Sequence, residues 1–144
     1  MNSKQTNYEF NVLYNKMTGI YHDIVKKFNL SECQFWILYA LNVENKPLSQ
    51  SEISAYLISP KQTIHSSIHK LIENDYISLK ETNGIKKYYS LTKKGKQLSK
   101  KTVLPVIQIE IETFDTFSER ERNQFILMFK KYNEKLDAIS KEAL

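Results

Sequence analysis

Glycine is nearly missing from this chain, with three in 144 residues, and proline and cysteine are as scarce, at three and one. Nucleotide-binding loops cradle phosphate with clustered glycines, and Gly19, Gly84 and Gly95 form no such cluster. A lone cysteine cannot close an internal disulfide, which fits a reducing compartment. No apolar run approaches the ~20 residues of a membrane-spanning helix. The opening MNSKQTNYEF lacks the apolar stretch of a secretory signal, so a cytoplasmic protein with no membrane partner is expected. Gly-x-Ser-x-Gly, His-Glu-x-x-His and paired-cysteine patterns are absent too. No catalytic residue, metal ligand set or cofactor is assigned, and the chain reads as a non-enzyme. Arginine occurs only at 120 and 122, which leaves lysine to carry nearly all the positive charge.

That charge is unevenly placed. The net value is +5, yet residues 46–101 hold eleven lysines against four acidic residues, an excess of seven. The segment before is neutral and the segment after is slightly acidic. Concentrated positive charge suits phosphate neutralisation, whereas a merely solvated surface more often mixes the signs. With 41% hydrophobic residues and a length near that of one ordinary domain, the chain can bury a core.

Scarce glycine points to a mostly helical fold. Phe10, Leu13, Met17, Ile20, Ile24 and Phe28 recur at helical spacing and predict a long amphipathic first helix. Ser31 to Gln34 reads as a capping box opening a second helix, apolar nearly all round from Phe35 to Leu41 and therefore buried. After Pro47, Ser49 or Ser51 can cap a short third helix carrying Ile53 and Leu57. Pro60 suits the first turn of a fourth helix reaching about Asn74, with Ile64, Ile68, Leu71 and Ile72 inward. A short helix, a tight turn and a longer helix make the order of a helix-turn-helix.

The alternating stretches flanking Asn83-Gly84 predict a β-hairpin. Pairing Leu79 with Tyr89 and Ile77 with Leu91 keeps apolar residues on one face and leaves a three-residue loop, Asn83 to Ile85. Gly84 or a neighbour then takes positive φ. This hairpin, rich in lysine at its tip, has the character of a wing. Thr92 opens a helix expected to continue past Pro105 with a bend. Ser118 to Glu121 is a second capping box, starting a last helix with an apolar stripe of Phe125, Met128, Phe129, Tyr132, Leu136 and Ile139. The terminal helices carry more apolar surface than a monomer of this length readily covers, which points to association.

Two stretches carry a family resemblance: S-P-K-Q-T-I-H-S-S-I-H-K-L-I-E-N-D-Y-I at 59–77, and Y-Y-S-L-T-K-K-G at 88–95. The first is similar to the recognition helix and following strand of the MarR family of bacterial transcriptional regulators; the second resembles that family's L-T-x-x-G junction after the wing. The resemblance runs along almost the whole chain. It implies a mainly α fold with a small β-hairpin wing, a winged helix-turn-helix with N- and C-terminal dimerisation helices. The expected organisation is a single domain over 1–144, with 1–29 and 102–144 as the dimerisation region and 30–101 as the DNA-binding lobe. It further implies a homodimer on a pseudo-palindromic operator in double-stranded DNA, a repressor released by a small-molecule effector at residues that stay unknown. One departure stands out. The family's wing commonly carries Asp-x-Arg, where this chain has Asn83, Gly84 and Ile85, and Lys86 and Lys87 lack the planar fork of arginine.

The expected DNA-binding residues are the polar face of the fourth helix, Lys61, Gln62, Thr63, His65, Ser66 and His69, joined by Lys70, Lys86 and Lys87. Glutamine can pair bidentately with adenine, lysine can donate to guanine, and threonine offers a methyl group to thymine. Lys70, Lys86 and Lys87 suit phosphates. A solvated face is the bland alternative for these positions. His65 and His69 have the i, i+4 spacing of a metal pair without an obvious third ligand, and plain exposure is the simpler reading. Cys33, second in its helix, is either a packed small residue or a redox sensor. Tyr14, Tyr21, Trp36 and Tyr39 either belong to the core or line an effector cleft. Two other functions stay open: a winged-helix module for an acidic protein partner, and a metal- or redox-responsive regulator of the same fold.

Overall fold

The computed structural model describes residues 1–82 and 84–144; Asn83, placed by sequence in the hairpin loop, lies outside the described residues. Helices α1 (Ser3–Lys26), α2 (Glu32–Glu44), α3 (Gln50–Ser54) and α4 (Lys61–Glu73) come first. The strands β1 (Ile77–Thr82) and β2 (Lys86–Leu91) follow, and then α5 (Lys93–Lys101), α6 (Val103–Asp115) and α7 (Glu119–Ala143). The chain forms two compact units, Met1–Pro105 and Val106–Leu144.

In the first unit, α2 is the central element. Phe35, Ile37, Leu38, Ala40 and Leu41 on it are buried together with Ile53 of α3, Ile64, Ile68 and Leu71 of α4, and Ile77 of β1. Each of these side chains larger than alanine is worth roughly 1.5–3 kcal/mol against exposure. Local chemistry sets the helix starts. Ser31 and Ser49 each accept from the third helical backbone N–H, while Gln34 and Glu52 reach back to the cap N–H. Of the two cap candidates for α3, Ser49 is therefore the one used. Pro60 stands one residue before the expected place, at the cap of α4, and gives that helix no side-chain cap.

The hairpin register agrees with the alternation argument: Ile77 faces Leu91, Leu79 faces Tyr89, and Thr82 faces Lys86. Gly84 adopts φ +68°. Tyr89 exchanges both of its backbone hydrogen bonds with Leu48, at 2.8 and 3.0 Å, so a third short segment edges the sheet beside β2. Leu79 departs from the expected inner face, remaining 39% exposed because the core ends at the strand's base.

The helix expected to run through Pro105 with a bend is instead two helices. The break falls at Thr102, with φ −126° and ψ −74°. Pro105 is the cause: its ring would meet the carbonyl of Lys101, and it has no N–H to offer that oxygen. In the second unit, Arg122 donates to the carbonyls of Phe114 and Phe117, closing the turn into α7, and Phe114 meets Phe125 edge to face at 5.7 Å. Ser118 and Glu121 cap α7 reciprocally; the hydrogen bonds from Ser118 hold the Glu121 carboxyl below the usual carboxylate range.

At the joint between α4, the hairpin and α5 the backbones approach closely. The end of α4 is a Schellman turn: Asp75 at φ +62° donates to Ile72 O, and Tyr76 donates to Leu71 O. Thr92 donates through its backbone to Tyr76 O and through its hydroxyl to Asp75 O, and the same hydroxyl accepts from Gly95 N–H. A Cβ on Gly95 would lie 1.9 Å from Tyr76 O. This explains the L-T-K-K-G spelling, since threonine joins the strands to the helix and glycine lets α5 reach the Tyr76 carbonyl. Gly95→Ala is expected to destabilise the chain by roughly 2–3 kcal/mol through forced backbone displacement, read as a lower midpoint in denaturant unfolding; an unchanged midpoint would contradict this account of the joint.

Candidate nucleic-acid interface

One face of α4 is used inside and the other is open. Ile64, Ser67, Ile68 and Leu71 are buried, whereas Lys61, Gln62, Thr63, Ser66, His69 and Lys70 are exposed and His65 is half-buried. The side chains of Lys61, Gln62, Thr63 and Lys70 have no hydrogen-bond or ion-pair partner among the described residues. Ser66 donates its hydroxyl back to Thr63 O at 3.1 Å, so it is left with acceptor capacity for another molecule. His65 and His69 face each other, their Nε2 atoms 3.0 Å apart.

The start of α4 is held by its neighbours. Gln50 of α3 donates to Lys61 O at 3.2 Å, and Cys33 of α2 points its Sγ at Thr63 O at 3.9 Å. Cys33 is thus buried against the first turn of the helix. Sequence spacing could not reveal this contact, because it joins residues thirty positions apart. With no side-chain cap at Pro60, the first N–H groups of α4 stay available to an anionic partner, and the helix dipole favours one there.

The strand register divides the wing lysines. Lys80 and Lys86 stand with Tyr88 on one face of the ribbon, and Lys87 is on the other, directly opposite Glu81. Lys80 therefore belongs with the candidate residues although sequence reasoning passed it over; the strand alternation was its signal. Five of the eleven central lysines, at 61, 70, 80, 86 and 87, lie on α4 and the wing. Another five, at 93, 94, 96, 100 and 101, lie on α5, and Lys46 follows α2. The positive excess of the middle segment is thus shared between α4 with the wing and α5. On α5, Lys94 is already engaged, donating to Asn74 O at 2.9 Å and lying over the Tyr76 ring.

A second feature of the first unit is a cleft of about 420 Å³ bordered by α1, α2 and the turn after α3. Tyr14, Thr18, Cys33, Trp36, Tyr56 and Leu57 are among its lining. Of the four aromatics singled out by sequence, Tyr14 and Trp36 reach the cleft, while Tyr21 and Tyr39 pack on Trp36 at ring distances of 5.4 and 5.0 Å. Tyr56 was missed. Its hydroxyl donates to Glu44 at 2.5 Å, and that carboxylate, with some burial, pushes the phenol up from its ordinary value.

Residues 30–95 match the family model described as a winged helix DNA-binding domain. Across the full length, the fold is similar to that of solved regulators. A MarR family regulator from Neisseria meningitidis, NMB1585, is 21% identical with a TM-score of 0.80, over 100% of both chains. The chain has the MarR fold. MarR from Staphylococcus aureus, solved with salicylate and kanamycin, is 25% identical with a TM-score of 0.70, covering 93% of this chain and 91% of that one. MepR from the same organism, in a DNA-binding conformation, is 19% identical with a TM-score of 0.74, covering 91% and 98%. No curated protein matches the sequence. Among the described residues, no helix is long and apolar enough to cross a membrane.

Within this MarR fold the two faces of the wing make separable predictions. Lys86→Ala is expected to weaken binding to any duplex and to reduce the slope of log K against log salt by about one. Glu81→Gln removes the carboxylate opposite Lys87 and is expected to strengthen duplex binding about twofold. Fluorescence anisotropy over a salt series reads both, and identical curves for the two variants and the parent would contradict the assignment.

Proposed function

We propose that the protein is a sequence-specific DNA-binding transcriptional regulator that acts as a homodimer in the cytoplasm and represses the genes it controls. The observation that carries this reading is the open face of α4, whose side chains at 61, 62, 63 and 70 are unpartnered while the helix is fixed at both ends. A merely solvated helix has no need of such a clamp. In this reading Gln62 and Thr63 meet base edges, Lys61 donates to a guanine, and Ser66, His65 and His69 complete the base-facing surface. Lys70, Lys86 and Lys87 neutralise phosphates and set orientation rather than sequence preference.

The dimer reading rests on apolar surface. On α1, Leu13, Met17 and Ile20 are about half exposed, and on α7 so are Phe125, Met128, Phe129, Leu136 and Ile139. No residue of α7 is buried within the chain. Residues 1–29 and 102–144 are accordingly assigned to dimerisation and 30–101 to DNA binding, within one functional domain. A two-fold dimer reads a pseudo-palindromic operator, with half-sites about one helical turn (roughly 10 bp) apart. The cleft containing Tyr14 and Trp36 is the proposed effector site. It lies beside Cys33, which touches the first turn of α4, so a ligand there can favour one setting of the recognition helix over another. The solved S. aureus MarR with salicylate supports an effector of aromatic character.

Selection of bound duplexes from a random library is expected to return inverted repeats. Gln62→Ala should then lose preference for the selected sequence while keeping its affinity for random duplex, and Lys70→Ala should weaken both alike. Equal losses for the two variants, or no sequence enriched at all, would overturn the division of roles. Leu136→Glu is expected to convert dimer to monomer in sedimentation and to lower operator affinity at least about tenfold by uncoupling the half-sites; a dimer that survives this change would remove α7 from the interface.

A further inference from the structure

His65 and His69 are closer than their spacing alone requires. Their rings meet edge to face with centroids 4.5 Å apart, and the two Nε2 atoms, the ends of the side chains farthest from the helix, stand 3.0 Å from each other. Two nitrogens each bound at about 2.0–2.1 Å to one cation lie about 2.9 Å apart when the angle between them is a right angle and about 3.4 Å apart at the tetrahedral angle. The pair is therefore already set at chelating distance.

We propose that His65 and His69 form a two-imidazole chelate for a late first-row divalent cation of the zinc, copper or nickel type. Imidazole nitrogen suits these ions, whereas magnesium and calcium prefer oxygen. The hydrogen bond now joining the rings uses one Nε2–H and one Nε2 lone pair; chelation needs both lone pairs. A neutral donor ring moves its proton to Nδ1 through solvent with no net proton loss, and a protonated one releases that proton to solvent. Among the described residues no group of three or more His, Cys, Asp or Glu side chains is placed to hold a metal, so water fills the remaining positions and the shell is open on the outer side. One turn away on the same face stand Lys61 on one side and Glu73 on the other, opposite charges flanking the pair. The chelate itself stands on this geometry alone. Its effect on operator binding rests on the DNA-binding reading, since the cation would occupy the proposed base-facing surface.

The test uses the tag-free full chain without DNA, titrated with zinc chloride in a non-coordinating buffer by calorimetry and with copper chloride by electron paramagnetic resonance. One site per chain is expected, with coupling to two nitrogens in the copper spectrum. His65→Gln and His69→Gln should each lower affinity at least about tenfold. His22→Gln, whose ring is paired with Glu32 at 2.6 Å, and Cys33→Ser should leave it unchanged. All these variants can be checked for unaltered helicity by circular dichroism. Absence of binding in the millimolar range, binding that survives both glutamine variants, or binding lost with His22 or Cys33 would overturn the proposal. None of these results bears on whether the chain binds DNA.

Discussion

The carbonyl of Tyr76 is the point on which the arrangement of the first unit depends. It accepts from Thr92 N–H, and α5 passes so close to it that only a hydrogen atom fits at Gly95. Four elements meet there: the end of α4, the start of β1, the end of β2 and the start of α5. Helix α4 and the hairpin are consequently fixed to each other through backbone contacts, which do not vary with side-chain rotamers. At its other end α4 is held by Gln50 and Cys33. A helix restrained at both ends loses little freedom when a partner settles on its open face, which lowers the entropic cost of recognition.

Charge adds to this frame without being consumed by it. The lysines of α4 and the wing form no ion pairs among the described residues, so their fields act outward. Only Lys87 has an acidic residue opposite it in the strand register. Five more lysines lie on α5, and Lys94 there holds the end of α4 rather than facing solvent alone. A chain without arginine in its DNA-binding segment must rely on point charges, which give attraction and orientation but not the bidentate fork used for reading guanine. In the proposed reading, sequence preference then falls on the few polar side chains of α4.

Much of this was legible in the sequence wherever the deciding chemistry is local. The capping boxes at Ser31 and Ser118 declare themselves because the partner lies three residues on. The hairpin register followed from keeping Ile77, Leu79, Tyr89 and Leu91 on one face. The inner and outer faces of α4 followed from helical periodicity. What escaped depended on distant contacts or on competing local effects. The sequence at Pro105 predicts only a bend, yet its clash with the Lys101 carbonyl acts a full turn upstream and splits the helix at Thr102. Cys33 and Thr63 are thirty residues apart, and nothing in either segment announces their meeting. Tyr21 and Tyr39 could not be separated from Tyr14 and Trp36 by spacing, because all four lie on helix faces that only packing distinguishes.

The central claim is that α4 and the wing, held together through Tyr76, present one surface to duplex DNA. Amide chemical-shift mapping of the isotopically labelled protein, titrated with a duplex recovered by selection, tests it most directly. The account predicts the largest shifts at Lys61–Lys70, with a second group at Lys80, Lys86 and Lys87. Shifts confined to α5 or to the terminal helices, with α4 unmoved, would contradict it.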